Sequence, residues 1–246
     1  MSKTLKFLVG REYKGQVNSN KSCYYVKGGK MILINCGKGV VDAVRRTKAL
    51  VGIKDVFVVI TNSDKAHLAD LKKFLFVCKT GGVVPKIIES ISLNKKLLKK
   101  MGVVDGEDCK FLEPLSNNIN WINFLATPHK HKGFSCPVEL FLDGKKIFYG
   151  GDAGIIPFAI KGYDEYYFDF SDKQNEYYLS PSQVRSLVQK NQIKKNQLWL
   201  VHLQNMQALK LALQIGMQVA EEEQSKIENI EKKQAKKARK EVVLGK

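Results

Sequence analysis

Short apolar runs separated by turn residues dominate the first quarter of the chain. Runs of this kind predict β-strands, which we place at residues 5–9, 22–26, 30–35 and 55–60. Lys27-Gly28-Gly29 predicts a tight turn between the second and third strands. After Asp55 the run at 55–60 is apolar throughout, which is typical of a strand buried on both faces. Apolar positions three and four apart predict a helix over 40–50, just before it.

The rest of the chain repeats this alternation. Strands are predicted at 83–88, 121–126, 138–142, 146–149, 166–170 and 198–201. Helices are predicted at 67–78, at 92–101, at 180–191 and from 206 almost to the end. In the third of these, Ser180 is the capping residue and Pro181 the first helical position. Asp143-Gly144 favours a primed hairpin turn. Two β-rich halves, each with its own helices, indicate two sheets flanked by helices. The sequence has no short tandem repeat, which argues against a solenoid.

Composition agrees with an ordinary globular protein. The chain has 246 residues, of which 44% are hydrophobic and 26% charged, enough to bury one substantial core. We find no secretory h-region and no apolar run that could span a bilayer, so we predict a cytoplasmic protein without a membrane partner. The five cysteines are widely spread and never form C-x-x-C, which argues against a disulfide framework and a zinc ribbon.

The formal net charge of +17 is the strongest bulk signal. A field this positive concentrates nucleic acid, nucleotides or an acidic partner, although lysine-rich solvated faces also account for part of it. Acidic residues in 221–231 are followed directly by a basic cluster in 232–240. We therefore predict a domain at 1–220 and a charged helix or tail at 221–246.

Candidate chemistry lies where predicted strands end. The chain has four histidines, His67, His129, His131 and His202, and each follows a predicted strand or the loop after it. Asp152 follows a strand in the same way, inside Gly150-Gly151-Asp152-Ala153-Gly154. Loops at one end of a β scaffold converge on a site, so we expect these side chains to meet.

This order of motifs resembles the metallo-β-lactamase superfamily over nearly all of the chain, up to about residue 220. The segment 60–68 stands where that superfamily has a strand ending in T-H-x-H-x-D-H. Gly151-Asp152-Ala153-Gly154 matches its G-D-[TA]-G motif, and Leu200-Val201-His202-Leu203 its final histidine. Met31 to Gly39 looks like its I-D-C-G-x-G turn, with Asn35 at the usual aspartate. The resemblance implies a four-layer αββα sandwich of the α/β class.

The first motif departs from the superfamily pattern. Asn62 and Asp64 stand at its two first histidines and Ala66 at its aspartate, so that only His67 remains. In superfamily members these side chains hold two metal ions, which lower the pKa of a bridging water and stabilise the developing oxyanion, and the Asp152-type carboxylate touches both ions. The resemblance therefore implies a degenerate site.

Two incomplete ligand sets remain on this alignment. His67, His202 and Asp152 form a set suited to Zn²⁺, Mn²⁺ or Fe²⁺. Asn62, Asp64 and Asp152, with His129 or alternatively His131, form an oxygen-rich set suited to Mn²⁺ or Mg²⁺. The cofactor is then one divalent ion or none. Each residue also has a structural interpretation, since His202 and Asp152 can satisfy turns and Asn62 and Asp64 can cap the helix that follows.

Three functional hypotheses follow. The first is a catalytically impaired protein, a pseudoenzyme that binds nucleic acid, a nucleotide or a partner protein in a basic cleft, with Lys65, Lys130 and Lys132 as phosphate-binding residues. The second is an enzyme, a metal-dependent phosphodiesterase or nuclease acting on nucleotides or RNA. In the third, an amphipathic helix over 206–246 docks on a partner or completes an oligomer such as a homodimer. No catalytic residue is assigned.

Overall fold

The computed structural model describes residues 3–8, 22–89, 93–113, 119–125, 136–152, 156, 158–172, 178–203, 205–219 and 232. These residues form two six-stranded sheets and six α-helices. Each half of the chain builds one sheet together with the helices that cover it, as the alternation of apolar runs predicted.

The first sheet has the strand order β1-β2-β3-β4-β5-β6. Its strands are β1 (Lys6–Phe7), β2 (Cys23–Lys27), β3 (Lys30–Ile34), β4 (Asp55–Ile60), β5 (Lys86–Glu89) and β6 (Lys110–Leu112). Strands β1 to β3 pair antiparallel and β3 to β6 parallel. The parallel strands are connected by α1 (Val40–Thr47), α2 (Lys65–Leu68), α3 (Leu71–Thr80) and α4 (Leu93–Lys100).

The second sheet has the order β12-β11-β10-β9-β8-β7. Its strands are β7 (Ile122–Phe124), β8 (Val138–Leu142), β9 (Lys145–Gly151), β10 (Glu165–Asp169), β11 (Leu198–Val201) and β12 (Gln218–Val219). Strands β7 to β9 pair antiparallel and β9 to β12 parallel. Helix α5 (Pro181–Asn191) connects β10 to β11, and α6 (Met206–Gln214) connects β11 to β12.

Three apolar layers hold these elements together. The central layer lies between the sheets, where Ile32 and Val59 of the first sheet share a core with Tyr149 and Tyr167 of the second. Another layer lies between the first sheet and α1, α3 and α4, and the third lies between the second sheet and α5 and α6. Helices thus cover both outer faces, and the predicted αββα sandwich is confirmed.

Several predicted elements are confirmed closely. The turn at Asp143-Gly144 has φ of 54° and 73°, the left-handed values that a primed turn requires. Helix α5 begins as predicted. Ser180 forms a reciprocal capping box with Gln183, and Pro181 takes the first helical position between them. Strand β8 has the predicted bounds.

Other predicted elements are wrong in part. The helix predicted over 67–78 is two helices, α2 and α3. The helix predicted from 206 onwards ends at Gln214, where Gly216 at φ 71° reverses the chain into β12. Strand β6 was missed because only three residues pair. The predicted tail at 221–246 lies outside the described residues apart from 232, so the domain boundary stays a prediction.

Glu165 ties the N-terminus to the second sheet. The backbone N–H and hydroxyl of Thr4 donate to its carboxylate, as do the Lys145 ammonium at 2.6 Å and the Tyr167 hydroxyl. Burial alone would raise the pKa of Glu165, but these hydrogen bonds outweigh it and hold the pKa below the ordinary 4.5. Glu165 is therefore ionised at neutral pH and links Thr4 to Lys145 and Tyr167 of the second sheet.

None of the helices in the described ranges is both long and apolar enough to cross a membrane. The cytoplasmic location inferred from the sequence stays a prediction.

Candidate functional site

Polar residues end three neighbouring parallel strands of the second sheet. Asp152 follows the last residue of β9, Asp169 is the last residue of β10, and His202 directly follows β11. Parallel strands present their carboxyl ends at one edge of a sheet. In the first sheet, Asn35 follows β3 and the loop from Thr61 follows β4 at the corresponding edge.

The loop after β4 reaches across to the second sheet. Nε2 of His67 lies 2.8 Å from Oδ2 of Asp152, and Nδ2 of Asn62 donates to the same oxygen at 3.2 Å. All three side chains are buried. The structure thus brings together three of the residues predicted from the sequence, from loops about 90 positions apart along the chain.

The orientation of the Asn62 amide follows from its other contact. Its Oδ1 accepts the backbone N–H of Asp64 at 2.8 Å, so the NH₂ group faces Asp152. An amide nitrogen donates a hydrogen bond and has no lone pair to offer a metal ion. Asn62 therefore meets the carboxylate as a donor, and the backbone of Asp64 serves to orient it.

The backbone of His67 is fixed by a neighbouring turn. Its carbonyl accepts the Cys36 N–H at 2.6 Å, and the Cys36 carbonyl accepts the Asp70 N–H. Oδ2 of Asp70 in turn accepts the N–H groups of Gly39 and Val41 at the start of α1. Asp70 thus caps α1 and fastens the 67–70 segment to it.

Asn35 braces the ends of β3 and β4. It adopts φ of 59°, a left-handed conformation that asparagine tolerates better than most residues. Its Oδ1 accepts the N–H of Thr61 at 3.0 Å, and its Nδ2 donates to the Thr61 hydroxyl. The residue at the usual aspartate of the turn motif therefore has a structural role beside the site.

His202 pairs with a carboxylate that sequence reasoning missed. Its Nδ1 lies 2.6 Å from Oδ1 of Asp169, and both side chains are almost wholly buried. The His202 backbone has φ of 55°, and its ring packs edge-on against Phe7. Asp169 was predicted only as part of a strand over 166–170, and no local signal in the sequence marked it as the partner of His202.

Tyr149 is a fully buried tyrosine on which the charges of both Asp152 and Asp169 act. Burial is the main cause that raises its pKa well above the ordinary value of 10. The charges of Cys23, Asp169 and Asp152 raise that pKa further. Its hydroxyl therefore stays protonated at neutral pH, in electrostatic reach of both aspartates.

The described side chains do not fit the two-metal site of the superfamily. Among them, no three His, Cys, Asp or Glu residues are grouped so that they could hold a metal ion. If Nε2 of His67 bound a metal ion, Nδ1 would carry the proton. Among the described residues no group hydrogen-bonds to this buried atom, whereas metal-bound histidines usually donate their second N–H to an acceptor.

Some predicted site residues cannot be placed. His129, His131, Lys130 and Lys132 lie outside the described residues, as do the side chains of Lys65 and Ala66. The metal-ligand assignments made from the sequence therefore stay predictions.

Comparison with known proteins supports the fold. No family model and no curated protein sequence matches the chain. Among solved structures it is similar to the metallo-β-lactamase fold protein YhfI from Bacillus subtilis, with 14% identity, a TM-score of 0.66, and coverage of 87% of this chain and 94% of that one.

Two further structures are similar over most of the chain. A diphosphatase of the PhnP family has 17% identity and a TM-score of 0.58, with coverage of 81% of this chain and 80% of that one. The short form of human tRNase Z has 17% identity and a TM-score of 0.54, with coverage of 81% and 92%. At these identities the likeness concerns the fold alone, and the chain has the metallo-β-lactamase fold.

Proposed function

We propose that this chain is a metallo-β-lactamase-fold protein without two-metal hydrolytic chemistry, and that it binds nucleic acid or nucleotides through a basic cleft. The observation that carries the proposal is the contact between the Asn62 amide and Asp152 at 3.2 Å. In two-metal hydrolases the metal ions activate the attacking water and stabilise the charge that develops. Here protein donors, Asn62 and His67, satisfy the carboxylate that would bridge the ions.

Charge supports the binding half of the proposal. The chain carries a formal net charge of +17, and a polyanion gains affinity from each phosphate that a lysine or arginine neutralises. Hydrogen bonds from Asn62 and His67 also reduce the repulsion that Asp152 would exert on a phosphate. We propose Lys65, Lys130 and Lys132 as phosphate-binding residues of this cleft.

The test uses the full-length protein. After dialysis against a weak chelator, we expect elemental analysis to find far less than one transition-metal ion per chain. Fluorescence anisotropy at low salt should show binding of labelled RNA or nucleotide, weakening as salt rises. Stoichiometric tightly bound metal, or turnover of cyclic nucleotides or RNA with added Mn²⁺ or Zn²⁺, would contradict the impaired-site proposal. Absence of any binding at low salt would contradict the ligand proposal.

One observation favours a second candidate, a single-metal phosphodiesterase or nuclease. Ligands about 2 Å from a common ion lie roughly 3 Å apart, close to the 2.8 Å between His67 and Asp152. Two of the similar structures are a tRNase Z and a diphosphatase. This candidate requires Mn²⁺- or Zn²⁺-dependent turnover that Asp152→Asn abolishes and that the surface variant Asp42→Asn retains.

A protein partner and a homodimer also remain proposals. Light scattering of the full-length chain at several concentrations measures the oligomeric state, and a mass that stays at one chain would contradict the dimer.

A further inference from the structure

Basic residues are unevenly divided between the two helical layers. Helices α1, α3 and α4 over the first sheet contain nine arginines and lysines and one acidic residue, Asp42. The basic residues are Arg45, Arg46, Lys72, Lys73, Lys79, Lys95, Lys96, Lys99 and Lys100. The helices over the second sheet contain only Arg185, Lys190 and Lys210. Among the described helices, positive charge is therefore concentrated on α1, α3 and α4.

Five of these residues, two on α3 and three on α4, have exposed side chains. The α3–α4 lysine cluster consists of Lys72, Lys73, Lys96, Lys99 and Lys100, all exposed. Lys72 of α3 reaches the end of α4, because its Nζ lies 2.7 Å from the position that a Cβ on Gly102, just past α4, would take. The three lysines of α4 are spaced three and four apart and so share one face of that helix.

The α3–α4 lysine cluster lacks internal counter-ions. Among the residues that the structure describes, its five ammonium groups form no ion pair, whereas Lys86, Lys145 and Lys146 each meet a carboxylate. Like charges adjacent or three and four residues apart on a helix repel one another, and phosphates that bind beside them relieve that repulsion. The cluster is therefore suited to a chain of phosphates.

Phe76 adds an aromatic ring to the same helix. Its side chain is 66% exposed, although Leu71, Phe74 and Leu75 of α3 are buried in the core. It lies one helical turn beyond Lys72 and Lys73, since residues three and four apart are neighbours on a helix surface. An exposed ring beside basic groups offers a face on which a nucleobase can stack.

We infer that the α3–α4 lysine cluster and Phe76 bind single-stranded nucleic acid, with phosphates on the lysines and one base stacked on the ring. This inference rests on the proposed function and names where the strand lies. A duplex keeps its bases stacked inside and gives the ring no partner. An anionic membrane surface fits less well, because interfacial helices insert a broad apolar face and α3 exposes one large ring.

The position of the surface connects it to the candidate site. Helix α3 begins at Leu71, four residues after His67. The segment that carries Asn62 and, in α2, His67 is therefore followed closely by the first turn of α3, where Lys72 and Lys73 lie. A strand held on α3 therefore lies on the helix that follows the candidate-site segment along the chain.

The first experiment measures binding of the full-length protein to labelled oligouridylate of about 12 nucleotides by fluorescence anisotropy, from about 50 to 200 mM NaCl. The double variant Lys72→Gln and Lys73→Gln should lose affinity at least about tenfold at the lower salt. The slope of log K against log salt should become shallower by about 1.4, since each phosphate contact contributes about 0.7 on a single strand.

A matched control removes the same charge elsewhere. Lys190→Gln with Lys210→Gln takes two exposed lysines from the helices over the second sheet. This variant should bind oligouridylate within about twofold of the wild type. Equal losses in the two double variants would overturn the inference, because only net charge would then matter.

The second experiment tests the ring. Phe76→Ala should weaken oligouridylate binding about tenfold, near the lower end of the range for one stacked base, and leave the salt slope unchanged. Phe141→Ala, at an aromatic residue 45% exposed on β8, should have no effect. An unchanged affinity of Phe76→Ala would overturn the stacking contact, as would equal affinity for a duplex of the same length.

Two outcomes separate this inference from the proposed function. If the wild-type protein binds no oligouridylate or nucleotide, both fail. If it binds and the Lys72 and Lys73 variant keeps full affinity, only this inference fails. Tighter binding to vesicles of phosphatidylserine than to oligouridylate would also overturn it. Urea unfolding of each variant confirms that a lost affinity does not reflect lost folding.

Discussion

Asn62→Asp is the sharpest test of the site, because it replaces the amide that faces Asp152 with a second carboxyl group. The two buried carboxylates would lie about 3 Å apart. At an effective dielectric constant of 20 their repulsion is about 5 kcal/mol. The folded protein avoids it by keeping one proton, through which the new carboxyl still donates to Asp152.

The cost of that proton sets the expected magnitude. An aspartate has an ordinary pKa of about 3.9, so holding its proton at pH 7 costs about 4 kcal/mol, at about 1.4 kcal/mol for each pH unit. The folded variant then binds one proton more than the unfolded chain, and its stability rises as pH falls. We expect Asn62→Asp to lower the free energy of unfolding by about 4 kcal/mol at pH 7 and by roughly 1.5 kcal/mol at pH 5.

Urea unfolding at pH 7 and pH 5, with a chelator present, measures both values. The control is Asn123→Asp, because Asn123 donates to Glu139 at 3.0 Å in an exposed position. Water screens that pair, so the control should lose less than about 1 kcal/mol. If Asn62→Asp unfolds like the control at both pH values, then the amide does not face Asp152 and the proposal of a site satisfied by protein donors fails.

Three further predictions, tested by urea unfolding, concern Gly150, Asp70 and Glu165, which support the structure around the site. Gly150→Ala should cost about 1–3 kcal/mol, because the added Cβ would lie 2.4 Å from ring atoms of Phe168, and a loss below about 0.3 kcal/mol would contradict this packing. Asp70→Ala should cost about 1–2 kcal/mol by uncapping α1, and a loss below 0.3 kcal/mol would contradict that role. For Glu165 the folded pKa lies below the ordinary 4.5, so its stabilisation is present above pH 4.5 and is lost as pH falls through the folded value. The difference in stability between wild type and Glu165→Gln should therefore shrink in acid. A difference independent of pH would refute the stabilising role of the ionised Glu165 carboxylate.

Much of the fold follows from local patterns in the sequence. The continuous apolar run became the buried strand β4, and the Ser180-Pro181 signal became the start of α5, because strand burial and helix capping depend on neighbouring residues. The prediction of a long C-terminal helix was wrong because non-local contacts overrode the local pattern. Apolar spacing continued past residue 214, but the left-handed turn at Gly216 and pairing with β11 directed the chain into a strand.

The site was predictable only in part. Strand ends pointed to Asn62, His67 and Asp152, which the structure brings within hydrogen-bond distance of one another. The partner of His202 could not be chosen from the sequence, since Asp169 is one of many acidic residues and its pairing depends on the register of β10 against β11. Long-range register is a tertiary property that local patterns do not encode.

The contact between His67 and Asp152 spans 85 positions of the chain and joins one sheet to the other. Closing so long a loop carries a high entropic cost, which slows contacts of this type during folding. A nascent chain that stops before β9 would contain every residue of the first sheet and yet no acceptor for the imidazole. The two histidine–aspartate pairs therefore form only after the strands of the second sheet that lead to Asp152 and His202 have been made.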